Sequence, residues 1–237
     1  MEEIKVIAFD ADDTLWANES HFQDIEAEYC RLLADYLPPA DISAALFQTE
    51  MQNLAIYGFG IKSFTLSMIE TALIISQNEI DSQRIGQIIG FGKRLLNMPV
   101  ELLPDVKNVL NTLDGKYKLV VATKGDLLDQ ERKLKNSGLQ KYFEHVEIMS
   151  DKQNSDYARL IKQLGCEPEE FMMIGNSIKS DVLPVLELGG MAAHIPFHVT
   201  WAHETVEEPI THPRFVKLNK LTDILSFLSI DPELLFD

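Results

Sequence analysis

Five short apolar runs punctuate the chain: KVIAF at 5–9, KLVVAT at 118–123, HVEIM at 145–149, FMMIG at 171–175 and MAAHI at 191–195. Each is bounded by polar or turn residues, as expected of strands in a parallel sheet covered on both faces. Helical patterns alternate with them. In LPDVKNVLNTL (103–113), Val106, Val109, Leu110 and Leu113 fall on one face. LLDQERKLKNSGL and SDYARLIKQLG each end in a glycine, Gly138 and Gly165, placed to cap a helix C-terminus. Strand–helix alternation of this kind predicts a doubly wound, Rossmann-like α/β core. FVKLNKLTDILSFL adds a last strand and helix, after a loop from Pro196 to Pro213 rich in His, Pro and Glu.

Residues 18–100 break the alternation. They contain no convincing strand and read as about four helices: SHFQDIEAEYCRLLADYL, DISAALFQTEMQNLAIYG, IKSFTLSMIETALIIS and DSQRIGQIIGFGKRLLN. Pro38–Pro39, Gly58–Phe59–Gly60 and Asn78 mark the breaks. The expected organisation is a core of 1–17 and 101–237 with a helical cap, 18–100, inserted after the first strand.

Composition narrows the function. The chain has 237 residues, 46% hydrophobic and 24% charged, enough for a sizeable core. Its formal net charge of −16 argues against nucleic acid or an anionic membrane as partner. The two cysteines, Cys30 and Cys166, are far apart and lack metal-like spacing, which suits a reducing compartment. The N-terminus has no signal-peptide pattern, and no apolar run approaches the ~18 residues of a membrane span. A cytoplasmic protein is the expectation. His194, His198, His203 and His212 lack the tight paired spacing of a zinc site.

The chemistry gathers at the strand ends. The first run stops in Asp10, Asp12 and Asp13, with Thr14 behind. Carboxylates crowded at the edge of a core repel one another and call for a cation. Ligands of an open parallel sheet bind beyond the carboxyl ends of its strands. Asp10 lies at such an end, Asp12 can point into the same crevice, and Asp13 is expected to turn away. A hard cation such as Mg²⁺ prefers these oxygen ligands and could pair them with a phosphoryl group. The second run ends in Thr123, followed by Lys124 and Gly125. The third is followed by SDKQNSDY, with Lys152, and the fourth by GNSIKSD, with Asn176 and Asp181.

Taken in order, DADDT, VVATKG, Lys152 and GNSIKSD resemble the four motifs of the haloacid dehalogenase superfamily of hydrolases, over residues 4 to about 195. The helical insert resembles that family's C1-type cap. The resemblance implies Asp10 as nucleophile, forming an aspartyl-phosphate, and Asp12 as general acid and then base. It implies Mg²⁺ held by Asp10, the backbone carbonyl of Asp12, Asn176 and Asp181. Thr123, Lys124 and Lys152 would bind the phosphoryl group, with Lys152 also offsetting the charge of Asp10. The second aspartate, Asp12, points to phosphatases and phosphotransferases within the superfamily; dehalogenases lack it. The implied activity is Mg²⁺-dependent hydrolysis of a small phosphorylated metabolite.

One position departs from the pattern. Asn176 stands where many relatives carry an acid, which removes a formal charge and predicts weaker Mg²⁺ binding. The competing readings are a non-catalytic binding protein on the same fold, a phosphotransferase, and a phosphonate-cleaving enzyme using Lys62 or Lys93 of the cap. A receiver-type signalling domain also uses Asp, Mg²⁺, Thr and Lys, but it places its phosphoacceptor on a later strand and has no helical insert. The YGFGIK connection (57–62) is either a plain turn or a substrate-contacting loop. Substrate identity and oligomeric state are not legible.

Overall fold

A computed structural model describes residues 3–206 and 209–230. Six strands form one sheet: β1 (Val6–Phe9), β2 (Lys118–Lys124), β3 (His145–Met149), β4 (Phe171–Gly175), β5 (Met191–His194) and β6 (Phe215–Lys217). Their order is β3-β2-β1-β4-β5-β6, and β1 pairs in parallel with both β2 and β4. β4–β5 and β5–β6 are parallel as well. This is the doubly wound order, whose switch point falls between β1 and β4.

Strand alternation builds two apolar layers from the same runs. Ile7, Phe9, Leu119, Val121, Met172 and Ile174 point to one face of the sheet. Val6, Ala8, Val120, Ala122, Phe171 and Met173 point to the other. Burial of both faces is why these strands read as unbroken apolar runs. The first face is covered by helix α5 (Val106–Leu113) through Val106, Val109, Leu110 and Leu113, and by α9 (Asp223–Phe227) through Ile224 and Leu225. The second is covered by α7 (Asn154–Leu164) through Tyr157, Leu160 and Ile161. α5 begins three residues later than its pattern predicts, because Asp105 takes a left-handed φ of 62°. The remaining core helices are α6 (Leu127–Ser137) and the short α8 (Leu183–Glu187).

Between β1 and β2 lie α1 (Glu19–Leu32), α2 (Pro39–Tyr57), α3 (Ile61–Ile75) and α4 (Ser82–Leu96). α2 starts on Pro39, whose fixed φ and missing N–H suit a first helical turn. Asp81 caps α4 by accepting from Arg84 N. Ile25, Tyr29, Leu33, Ile42, Leu46, Phe64, Met68 and Ile88 form a separate apolar core. Gly92 of α4 lies so close to α3 that an added Cβ would fall 2.1 Å from Thr65 Oγ1.

The chain divides into two compact units. One comprises Met1–Glu19, Val100–Thr123 and Glu131–Asp237, the other Ser20–Pro99 and Lys124–Gln130. In the second, Lys62 pairs with Asp126 at 2.8 Å and the Lys124 ammonium sits 4.1 Å from the centre of the Phe59 ring. The 57–62 connection thus packs on residues 124–126. Both cysteines are free. Among the described residues no helix is long and apolar enough to cross a membrane.

Candidate active site

At the carboxyl ends of β1 and β4, Asp10, Thr14, Asn176 and Asp181 meet one another and Lys152. Lys152 is 2% exposed, and its ammonium bridges Asp10 Oδ1 at 2.5 Å and Asp181 Oδ1 at 2.6 Å. A buried ammonium is tolerable only with such partners. Burial pulls the Lys152 ammonium down, but Asp10 and Asp181 more than offset it and hold it well above the usual lysine range. Asp10 moves the opposite way from an ordinary paired aspartate. Burial pushes it up to about 7, Lys152 opposes the rise and Asp181 adds to it. Two carboxylates against one ammonium leave a buried excess of negative charge, which favours a proton or a cation.

Asp181 is fully engaged by protein groups: Oδ1 by Lys152 and Oδ2 by Ser177 N at 2.9 Å. It can approach that closely because residue 175 is glycine, where a Cβ would fall 2.1 Å from Asp181 Oδ2. Asp181 rides on a single π-helical turn, Ile178–Val182, a distortion common at functional sites. Glu204 braces that turn by accepting from the hydroxyls of Ser177 and, at 2.6 Å, Ser180.

A second cluster lies on the other oxygen of Asp10. Thr14 Oγ1 donates to Asp10 Oδ2 at 3.2 Å. The Asn176 amide stands 3.2 Å from Asp10 Oδ2 and 3.3 Å from the carbonyl oxygen of Asp12. With its NH₂ turned to them, it donates to both. With its oxygen turned to them, it accepts from Thr14 Oγ1 at 3.4 Å, and three oxygens converge on a point suited to a cation. The donor set is a carboxylate, a backbone carbonyl and an amide oxygen, which fits a hard ion such as Mg²⁺. Among the described residues no group of three or more His, Cys, Asp or Glu side chains forms a metal cluster. The histidines are spread out: His194 Nε2 donates to Asn176 O at 3.0 Å, and His203 Nε2 meets Lys179 at 3.0 Å. Burial holds His194 below the usual histidine range.

The carboxylate of Asp12 is held apart from both clusters. Its Oδ1 accepts from Trp16 Nε1 at 2.7 Å and from Lys133 Nζ at 3.0 Å. Asp13 turns away, as expected, with a left-handed φ of 60°. It accepts from the backbone N–H groups of Asn18 and Glu19 at the start of α1. Burial pushes Asp13 up to about 7. Thr123 is buried at the end of β2, and Lys124 follows it.

Lys133 and Glu204 carry no motif. Lys133 did leave a signal: with Gln130, Leu134 and Ser137 it lies on the buried stripe of α6, where a lysine is out of place without a partner. Glu204 sits in a segment without periodicity and left none.

Comparison with known proteins agrees with this architecture. The family model of the haloacid dehalogenase-like hydrolases matches residues 4–189, and the chain belongs to that family. A haloacid dehalogenase-like family hydrolase from Xanthomonas campestris is 35% identical, with a TM-score of 0.84 over 95% of this chain and 91% of that one. A putative HAD-hydrolase from Bacillus subtilis, solved bound to magnesium, shares the fold at 17% identity, with a TM-score of 0.66 over 97% of this chain and all of that one. A glyceraldehyde 3-phosphate phosphatase from Methanothermobacter thermautotrophicus is 29% identical over 105 residues. That match spans 42% of this chain and 46% of the relative, less than half its length.

Proposed function

We propose that the protein is a Mg²⁺-dependent phosphatase that hydrolyses a small phosphomonoester through an aspartyl-phosphate. The observation that carries this reading is the Lys152 bridge. It presents one oxygen of a buried aspartate, Asp10, beside an ammonium and leaves the other in a cluster of oxygens suited to a cation. The partial match to an archaeal phosphatase supports a phosphoester substrate, and the magnesium in the Bacillus subtilis structure supports the metal.

Asp10, the backbone carbonyl of Asp12 and Asn176 would hold Mg²⁺, which would supply positive charge against the phosphoryl oxygens. Asp181 supports the site by orienting Lys152 and Ser177 N. Asp10 attacks phosphorus through Oδ1; the Oδ1–P bond forms as the bond from phosphorus to the leaving oxygen breaks. The electron pair stays on that oxygen, which takes a proton from Asp12 and departs as an alcohol. Asp12 then removes a proton from water, whose oxygen attacks phosphorus and displaces Asp10 as inorganic phosphate forms. Lys152 balances Asp10 and the incoming charge, while Thr123, near the end of β2, holds phosphoryl oxygens.

The test is phosphate release from a panel of small phosphomonoesters with and without Mg²⁺. Mg²⁺-dependent release is expected, absent in Asp10→Asn. Release that persists in Asp10→Asn, or none from any ester by folded protein at high Mg²⁺, sinks the reading.

A further inference from the structure

Two donors converge on a single oxygen of Asp12. Trp16 is 1% exposed and anchored by its own backbone: its carbonyl accepts from Asp13 N at 2.7 Å, and it bridges to Leu102. Its indole N–H reaches Asp12 Oδ1 from a fixed position. Lys133 arrives from α6, across 121 residues of sequence, and its ammonium also donates to Asn18 Oδ1 at 2.8 Å. The Lys133 side chain is only 15% exposed, so this pair is shielded more than a surface salt bridge. An indole and an ammonium on one oxygen fix both the rotamer and the plane of the carboxylate.

We propose that Lys133, with Trp16, is the positioning residue for proton transfer by Asp12. The clamp holds Asp12 by Oδ1, so the carboxylate stays aimed when the leaving oxygen arrives. In this reading both act through Asp12. Lys152 and Lys133 thereby divide the work: one lysine serves the nucleophile, the other the acid. This inference rests on the phosphatase reading, in which Asp12 is the acid.

The sensitive measurement is kcat/KM for two esters that differ in how much they need an acid. An alkyl phosphate such as glyceraldehyde 3-phosphate expels a basic alkoxide and requires the proton; p-nitrophenyl phosphate expels a stable anion and barely does. Because kcat/KM reports steps up to aspartyl-phosphate formation, slow hydrolysis of the intermediate does not mask the difference. General acid catalysis contributes about 10²–10⁴-fold. Lys133→Met keeps the aliphatic stem, and Trp16→Phe keeps the ring but loses the N–H. Each is expected to lower kcat/KM for the alkyl ester by roughly 10-fold or more, within the general-acid range, and for the aryl ester by less than about 3-fold. Asp12→Asn should show the same selectivity more strongly. A purely structural role predicts equal losses on both esters. Equal losses, or none, in the two folded variants overturn the positioning role while leaving the phosphatase reading intact. Wild-type protein inert toward both esters with Mg²⁺ overturns the phosphatase reading and this inference with it.

Discussion

Asn176→Asp restores a carboxylate where this chain carries an amide, and its consequence can be worked from one distance. The amide group lies 3.2 Å from Asp10 Oδ2. At an effective dielectric near 20, two unit negative charges at that separation repel by about 5 kcal/mol. The new acid can escape by staying protonated. Holding a carboxyl of ordinary value near 3.9 neutral at pH 7 costs about 4 kcal/mol, at 1.36 kcal/mol per pKa unit. A third route is cheaper than either: Asp10, already pushed up to about 7, can take the proton, which costs little at pH 7 and about 2 kcal/mol at pH 8.5 without metal, at 1.36 kcal/mol per pKa unit. For a chain of 237 residues this lowers the melting midpoint at pH 8.5 by about 4–8 °C.

Magnesium should reverse the sign of the effect. A third anionic oxygen binds the ion more tightly than an amide does, so saturating Mg²⁺ stabilises the variant more than the wild type. Both tryptophans, Trp16 and Trp201, lie in the sheet-bearing unit, so intrinsic fluorescence follows its unfolding. Melting is compared at pH 8.5, where Asp10 is ionised, in chelator and in excess Mg²⁺. The variant is expected to melt well below wild type in chelator and to recover most of the gap with Mg²⁺. If its Mg²⁺-induced shift merely equals that of wild type, Asn176 is not a ligand and the three-oxygen cluster is not the metal site.

Two further changes test the charge balance elsewhere. Lys152→Met leaves Asp10 and Asp181 buried without their ammonium, and removing one partner of a buried pair costs about 3–5 kcal/mol; urea titrations at pH 7 should show that loss, and a change below about 1 kcal/mol would mean the bridge is not formed. Glu50, on α2, is pushed up to about 8, first by burial and then by Glu26. Its folded value lies above the unfolded one, so its neutral form favours folding. The stability it permits is fully present below about pH 4.5 and is lost as pH rises through 8, up to about 5 kcal/mol at 1.36 kcal/mol per pKa unit. Glu50→Gln should therefore stabilise the helical unit at pH 8–9 and hardly at pH 5, read by circular dichroism; equal effects at both pH values would show that Glu50 is not neutral in the fold.

Much of the architecture was written in periodicity. The strands betrayed themselves because both faces of the sheet are covered, so Val6 and Ala8 are as apolar as Ile7 and Phe9. The four inserted helices were legible from their patterns and from Pro39, Gly58 and Gly60. Their ends were less so: α1 stops at Leu32, five residues before its pattern does, in a turn ahead of Pro38. The site was legible as strand ends in order, but not as directions. Composition gives Lys124, Lys133 and Lys152 equal standing, yet Lys152 meets Asp10, Lys133 meets Asp12 and Lys124 lies over Phe59. Nor could spacing show that Asp12 offers its carbonyl to the Asn176 side while its carboxylate goes to Trp16. That split depends on a tight turn with Asp13 at positive φ, and no period describes such a turn.

The charges at the site also explain why an amide can stand at position 176. Asp10, Asp181 and Lys152 together carry one net negative charge in a buried place, and Asp12 and Lys133 cancel. A carboxylate at 176 would add a second uncompensated charge to the metal-free protein, 3.2 Å from a residue already pushed up to about 7. The amide avoids that cost because it can donate to Asp10 and Asp12 without metal and turn its oxygen to the same point when a cation arrives. Stability of the metal-free state and affinity for the cation are thus opposed at one side chain. Under the proposed metal site, position 176 in this chain favours the first, and the bound Mg²⁺ would be loosely held and exchangeable.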